Sequence, residues 1–98
     1  MKRKVLIVED NINLSQMQKD WFVQAGYDAI TAVDATKARS LIRKVHFDLI
    51  LSDVRLPDGD GISLLEWLRN NKRIILLLLL PLSMCLYLML SVPLNWEL

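Results

Sequence analysis

The amino-acid sequence predicts an α/β protein with a parallel, doubly wound sheet, made of about three βα units and a possible fourth strand. Two short apolar runs, Val5–Val8 and Leu49–Leu51, have the length and composition of strands that are buried on both faces. Each run is followed by a turn and then by an amphipathic stretch of helical length. Strands that alternate with such helices favour a parallel sheet with helices packed on both sides.

The first βα unit begins with the strand Val5–Val8, which ends at the acid pair Glu9-Asp10. A helix is expected over about residues 13–25, because apolar side chains recur there at helical spacing. Its predicted buried face consists of Leu14, Met17, Trp21 and Ala25. Gly26 follows at the position just past the helix, where a left-handed backbone conformation favours glycine.

The second unit is a weaker strand at Asp28–Val33 followed by a helix at Ala35–Val45. Asp34 is the predicted N-cap of this helix, since a short carboxylate side chain accepts hydrogen bonds from the first free amides. The predicted buried stripe of the helix is Ala35, Ala38, Leu41, Ile42 and Val45.

The third unit places one acid at the end of a strand. The strand Asp48–Ser52 leads directly to Asp53, and a loop rich in proline, glycine and aspartate follows. The residues expected to face inward from a third helix at Ile62–Asn70 are Ile62, Leu65 and Leu68. The possible fourth strand is Ile74–Leu80. In open α/β sheets the ligand crevice lies beyond the carboxyl ends of the strands, so Asp53 is the first candidate for chemistry.

The composition of the chain, with 98 residues, is that of one small domain at most. Its 12 basic and 11 acidic side chains nearly balance, so it lacks the basic field that nucleic-acid binders carry. The single cysteine, Cys85, excludes an intramolecular disulfide, and the apolar run after the N-terminal MKRK is too short for a secretion signal. A cytoplasmic protein with no nucleic-acid binding within these residues is therefore expected.

The acids Glu9, Asp10 and Asp53 are expected to converge on one crevice. All three follow the carboxyl ends of strands, and the first and third strands are neighbours if the chain reverses its winding direction between them. Carboxylates that lie so near one another repel unless a cation neutralises them. Mg²⁺ is a suitable cation, because it binds a few carboxylates together with water and a phosphate. Asp53 would then be a nucleophile that forms an acyl phosphate. Taken singly, the acid pair is also compatible with a solvated loop, and Asp53 with a turn residue.

The segments VLIVEDN (Val5–Asn11) and DLILSDVRLPDGDGISLLEWLR (Asp48–Arg69) resemble the receiver domain of two-component response regulators. The segment DVRLPDGDG is most similar to the NtrC-like group. The resemblance covers about residues 3–73 and implies a flavodoxin-like strand order of 2-1-3-4-5. It implies that Asp53 is the phosphoacceptor and that a sensor histidine kinase is the phosphodonor. Such a chain is a signalling domain that assists its own phosphorylation and dephosphorylation, not an enzyme.

The resemblance also implies roles for the residues around the phosphoacceptor Asp53. Asp10 matches the direct Mg²⁺ ligand, and Glu9 matches the acid that acts mostly through metal-bound water. The backbone carbonyl of Arg55 matches the group that completes the metal site. The positions that match the loop shaping the site are Pro57 and Gly61.

Two residues that the family uses for switching have weaker counterparts or none. Ser83 stands at a distance after Asp53 that suits the switch hydroxyl, although Pro81 interrupts the pattern before it. The family's switch lysine has no candidate, because no lysine follows Lys72. The resemblance therefore implies a phosphorylation site whose read-out is impaired.

The segment 74–98 differs from the rest of the chain, since Glu97 is its only charged residue. Residues 1–73 are expected to form a partial receiver domain, and residues 74–98 an apolar tail. Three interpretations of the tail stay open: a fourth strand followed by truncated or altered sequence, a membrane helix over residues 74–94, or a native repacked ending. Exposed apolar surface and a free strand edge predict a homo-oligomer or swapped dimer. The alternative function is a membrane-tethered or self-associating interaction module on a receiver-like scaffold.

Overall fold

The computed structural model describes residues 2–53, 55–70 and 76–80, in which strands and helices alternate as the sequence predicts. The strands are β1 (Lys4–Val8), β2 (Asp28–Ala32), β3 (Leu49–Asp53), β4 (Arg55–Leu56), β5 (Gly59–Asp60) and β6 (Leu76–Leu80). The helices are α1 (Ile12–Gln24), α2 (Ala35–Lys44) and α3 (Gly61–Asn70). Within the described residues, β4 and β5 pair only with each other, as a short antiparallel hairpin between β3 and α3.

The main sheet of the described residues contains four parallel strands in the order β2-β1-β3-β6. The chain adds β2 on one side of β1 and β3 on the other, so the winding direction reverses there, as predicted. Strands β1 and β3 are flanked on both sides, and their apolar residues are buried on both faces. The predicted fold class, a doubly wound parallel sheet of receiver-like order, is confirmed.

Among the described residues, apolar side chains form two clusters, one on each face of the sheet. The larger cluster packs α2 and α3 against the sheet, and its fully buried members include Leu6, Ile42, Phe47, Ile50 and Leu64. The smaller cluster packs α1 against the other face, through Val5, Ile7, Phe22, Leu49 and Leu51. Burying one such side chain stabilises the folded state by about 1.5–3 kcal/mol, so the two clusters together fix the positions of the strands that carry the acids.

The buried face of helix α1 agrees only in part with the prediction: Leu14 is buried and Trp21 is partly buried, as predicted. Met17 is 44% exposed and Ala25 is exposed at the helix end, so the prediction that these two residues face the core is wrong. The buried positions are Leu14, Ser15, Gln18 and Phe22. Phe22 sets this rotation, because its ring packs with the side chains of β1 and meets the rings of Trp21 and Tyr27 edge-on.

The capping signals predicted from the sequence are confirmed. Asp34 caps α2 by accepting a hydrogen bond from the N–H of Lys37 at 2.8 Å. Gly26 follows the end of α1 with φ of 95°, in the left-handed region. The predicted stripe of α2 is also confirmed: Ala35, Ala38 and Ile42 are buried, and Leu41 and Val45 are partly buried against them.

Among its described side chains, helix α3 contributes two buried residues to the core, and the fourth strand follows it. Leu68 of α3 is buried as predicted, and Leu64 is buried beside it; the side chains of Ile62 and Leu65 lie outside the description. Leu76–Leu80 pairs with β3 along its whole length, as the fourth-strand interpretation requires, so these residues do not begin a membrane helix. The candidate Ser83 lies outside the described residues. Within the described part of the chain, every helix is too short or too polar to cross a bilayer.

Candidate functional site

The predicted acidic residues lie together at the carboxyl edge of the sheet. Val8 of β1 pairs with Ser52 of β3, so the next residues, Glu9 and Asp53, leave neighbouring strands at the same level. Asp10 follows Glu9 in the turn to α1. One carboxylate oxygen from each of the three acids lies within 4.8 Å of the others. The convergence expected from the sequence is therefore present.

The three carboxylates have different environments. Glu9 is only 5% exposed, Asp53 is half-buried and Asp10 is open to solvent. The pKa of Glu9 is raised from its ordinary 4.5 to about 7, mainly by burial and in smaller part by the neighbouring acids Asp10 and Asp53, against a lowering hydrogen bond from the Asn11 backbone. In the absence of a cation, Glu9 is therefore partly protonated near neutral pH.

The turn between β1 and α1 is fixed by hydrogen bonds at both ends. The N–H of Glu9 donates to the carbonyl of Ala32 at 2.9 Å, which ties the turn to the end of β2. The N–H of Asn11 donates to Glu9 Oε2 at 3.1 Å, and Asn11 Oδ1 accepts from the N–H of Leu14 at 3.0 Å as the N-cap of α1. Asn11 is not among the caps predicted from the sequence, although asparagine is a preferred N-cap residue and could have been found on that ground.

The β4–β5 hairpin follows the candidate phosphoacceptor. Asp53 is the last residue of β3, and the Ser52 hydroxyl donates to its backbone carbonyl at 2.9 Å. The hairpin pairs Arg55 with Asp60 and Leu56 with Gly59, so the backbone of Arg55 belongs to a regular strand rather than to an open loop. The sequence predicts a loop here, because strands of two residues are too short to show a periodic pattern.

The donor set suits a hard divalent cation. All three side chains offer carboxylate oxygens, and the ligand oxygens of an octahedral Mg²⁺ ion lie about 3 to 4 Å from one another, since each lies at about 2.0–2.1 Å from the ion. The three oxygens lie within 4.8 Å of one another without an ion, so small side-chain movements would bring them to ligand distances. A cation there would also relieve the repulsion between like charges and release the proton of Glu9.

The fold and the acidic cluster together define a class of protein, an α/β domain with an oxygen-ligand site beside a carboxylate at a strand end. Comparison with known protein families identifies the class. The family model "Response regulator receiver domain" matches residues 5–80, and the chain belongs to this family. Receiver domains are the signalling domains of two-component systems, which receive phosphoryl groups from histidine kinases and bind Mg²⁺ at acidic residues.

Individual relatives agree with the family. The polar-differentiation response regulator DivK of Brucella ovis is 34% identical over 74 residues, which cover 76% of this chain and 60% of DivK. The receiver domain of the Francisella response regulator 1452 superposes with a TM-score of 0.78 at 34% identity, over 82% of this chain and 66% of that one. The MaeR response regulator bound to beryllium trifluoride has a TM-score of 0.75 at 26% identity, over 98% and 83%. The alternative of a membrane-tethered or self-associating module receives no support from these relatives.

Proposed function

We propose that the chain accepts a phosphoryl group on Asp53 from a sensor histidine kinase, with Mg²⁺ at the acidic cluster. The observation that carries this proposal is the convergence of Glu9, Asp10 and Asp53 at the end of neighbouring strands, with ligand atoms within 4.8 Å. Family membership supports it, because receiver domains perform this transfer. The chain spans 60% of the length of the DivK relative, so the activity of the whole protein is part of the proposal.

Each residue of the site has a part in the proposal. Asp10 and Asp53 ligate the cation directly, Glu9 acts mostly through water, and the backbone carbonyl of Arg55 completes the set. Mg²⁺ supplies positive charge that screens the incoming phosphoryl group and the carboxylate that attacks it. Asp53 is half-buried, so part of the residue remains exposed to solvent, where a phosphodonor could approach it.

The proposed transfer moves one phosphoryl group between two side chains. A carboxylate oxygen of Asp53 attacks the phosphorus of a phosphohistidine, the P–N bond breaks, and the electron pair leaves with the imidazole nitrogen, which takes up a proton from water. The product is an acyl phosphate on Asp53. Water later attacks this phosphorus and restores the carboxylate with release of inorganic phosphate. The chain would thus promote its own phosphorylation and dephosphorylation, and each cycle would consume one phosphodonor and release one inorganic phosphate.

Three finer features belong to the same proposal. Ser83 is the candidate hydroxyl that follows the phosphate when the domain switches. The NtrC-like assignment is supported by the segment DVRLPDGDG, and a cytoplasmic location by the single cysteine, which forms no intramolecular disulfide. The cytoplasmic location is compatible with a histidine kinase as donor, because the kinase and the receiver would then share one compartment.

The test uses a small phosphodonor such as acetyl phosphate with Mg²⁺, followed by intact-mass analysis and acid and base treatment. The parent chain is expected to gain one phosphoryl group as an acid-stable, base-labile adduct that does not form in EDTA. Asp53→Asn is expected to gain none. Asp48→Asn is the matched control, because Asp48 directly precedes the amino end of β3 and keeps an acceptor for the N–H of Lys4 when changed to Asn. Equal labelling of Asp53→Asn and the parent chain would refute the assignment.

A further inference from the structure

The tip of the β4–β5 hairpin is bound to the first turn of α2 through one carboxylate. Asp58 Oδ1 accepts a hydrogen bond from the N–H of Ala35 at 2.8 Å, and Asp58 Oδ2 accepts one from the N–H of Thr36 at 2.8 Å. The Thr36 hydroxyl donates a third hydrogen bond to Oδ2. These partners are 23 and 22 residues away from Asp58 in the sequence, so the contact joins two separate βα connections.

The chemistry of this contact keeps it intact at neutral pH. The first amides of a helix have no partner within the helix and carry its positive end, so a carboxylate is a favourable ligand for them. The Thr36 hydroxyl, with the amides of Ala35 and Thr36, lowers the pKa of Asp58 from 3.8 to about 2. Asp34 bonds a different amide, that of Lys37, so the two acids do not compete for one donor.

The hairpin that Asp58 holds contains the proposed carbonyl ligand of the metal. The pairs of the hairpin are Arg55 with Asp60 and Leu56 with Gly59, which leave Pro57 and Asp58 as the turn. The side chain of Leu56 is 8% exposed and belongs to the larger apolar cluster. The hairpin therefore has an apolar anchor at Leu56 and a polar anchor at Asp58, and Arg55 lies on the strand beside them.

The same corner of the molecule also holds Glu9. Helix α2 follows closely after β2, whose last residue, Ala32, accepts the hydrogen bond from the N–H of Glu9 at 2.9 Å. The short connection from Ala32 to Thr36 is thus bonded to the β1–α1 turn on one side and to the hairpin on the other. The turn that carries Glu9 and Asp10 and the hairpin that follows Asp53 are therefore both hydrogen-bonded to this one connection.

We propose that Asp58 is a positioning residue for the cation site: it fixes the hairpin on α2 so that the Arg55 carbonyl faces the metal together with Asp10 and Asp53. This inference rests on the function proposed above, because it assumes Mg²⁺ at that site. A ligand that is held in place before the metal arrives loses less conformational freedom on binding. Loss of a supporting contact of this kind typically weakens metal affinity by about 10- to 100-fold.

The experiment is a Mg²⁺ titration of the full chain by isothermal titration calorimetry, with urea unfolding of the same samples. Asp58→Ala is expected to weaken Mg²⁺ binding by about 10-fold, the lower end for supporting contacts, because Leu56 still anchors the hairpin. Thr36→Val is expected to weaken it less, and Thr36→Ser, which keeps the hydroxyl, to retain the parental affinity. Asp34→Ala is the matched control: it removes a carboxylate from the same turn of α2 without touching the hairpin, and is expected to lower stability but leave Mg²⁺ affinity unchanged.

The outcomes separate this inference from the proposed function. Parental affinity in Asp58→Ala, in a chain whose Mg²⁺ binding is still weakened by Asp53→Asn, would overturn the inference alone. An equal loss of affinity in Asp34→Ala would also overturn it, since the effect would then belong to the stability of α2. A parent chain that binds no Mg²⁺ would overturn the proposed function and the inference together. Should Asp58→Ala fail to fold, Thr36→Val and Thr36→Ser decide between the same outcomes.

Discussion

At the scale of single residues, the two acids that follow β1 differ in environment although they are neighbours in the chain. Glu9 is buried in the β1–α1 turn, with 5% of its surface exposed, whereas Asp10 in the same turn is exposed to solvent. Burial is the main reason that the pKa of Glu9 rises to about 7, and the like charges of Asp10 and Asp53 act in the same direction. A cation at this cluster therefore competes with a proton, and the competition is centred near neutral pH.

We predict that Mg²⁺ binding to the unphosphorylated chain strengthens by up to about ten-fold between about pH 6 and about pH 8. Below its pKa of about 7, Glu9 is protonated and the cation must displace the proton; above that value no proton is displaced. Calorimetry in buffers of different ionisation enthalpy measures both the affinity and the number of protons released. Glu9→Gln, which cannot ionise, is the control and is expected to lose this increase. An increase of the same size in Glu9→Gln would show that another group controls it.

At the scale of helices and strands, the sequence predicts a feature well where its cause is local. The cap at Asp34 and the glycine at Gly26 depend on backbone geometry within one turn of helix, and both are found as predicted. The face that α1 buries, by contrast, is not determined by its local sequence. Met17 is more hydrophobic than Gln18, yet Gln18 is buried and Met17 is 44% exposed. One residue corresponds to about 100° of helix rotation, and the packing of Phe22 against the sheet decides it.

Within the site, the acidic cluster could be predicted from the sequence, whereas the contact of Asp58 with α2 could not. The cluster could be predicted, because the carboxyl ends of neighbouring parallel strands always meet at one edge of the sheet. The register that pairs Val8 with Ser52 then brings Glu9 and Asp53 together. The contact from Asp58 to Thr36 joins positions 22 residues apart, across loops whose course only the folded chain defines. No local pattern in the sequence marks it.

We predict that Gly26→Ala lowers the free energy of unfolding by about 1–2 kcal/mol. The residue has φ of 95°, a conformation in which a Cβ atom strains against the backbone. An added Cβ would meet no other atom within 4 Å, so the loss reflects backbone conformation and not packing. Urea unfolding measures it. Gly26→Asn is the control, with a smaller expected loss, because asparagine tolerates the left-handed region better than alanine. A Gly26→Ala chain as stable as the parent would contradict this explanation.

At the scale of the whole molecule, the site depends on strands that are flanked on both sides. Strand β3 carries Asp53 and pairs with β1 on one side and with β6 on the other. The pairs between β3 and β6 run from Leu49 with Leu76 to Asp53 with Leu80, so the residue that is the proposed phosphoacceptor is itself part of this ladder. Fold and site are coupled here, because loss of β6 would turn the strand that carries Asp53 into an edge.

We predict that residues 1–80 fold cooperatively and that residues 1–73 do not form a well-folded monomer. Both pieces lack residues 81–98 and differ only in residues 74–80, which include β6. In residues 1–80 the edge is β6 and β3 stays paired on both sides, whereas in residues 1–73 the edge is β3 itself, whose N–H and C=O groups lose their partners beside the apolar core, which disfavours a folded monomer. Thermal unfolding followed by circular dichroism, together with sedimentation velocity, distinguishes the two pieces: a sharp transition for 1–80, and a broad one or oligomers for 1–73. A cooperative transition and monomeric sedimentation of 1–73 would show instead that β1, β2, β3 and their helices hold the site without β6.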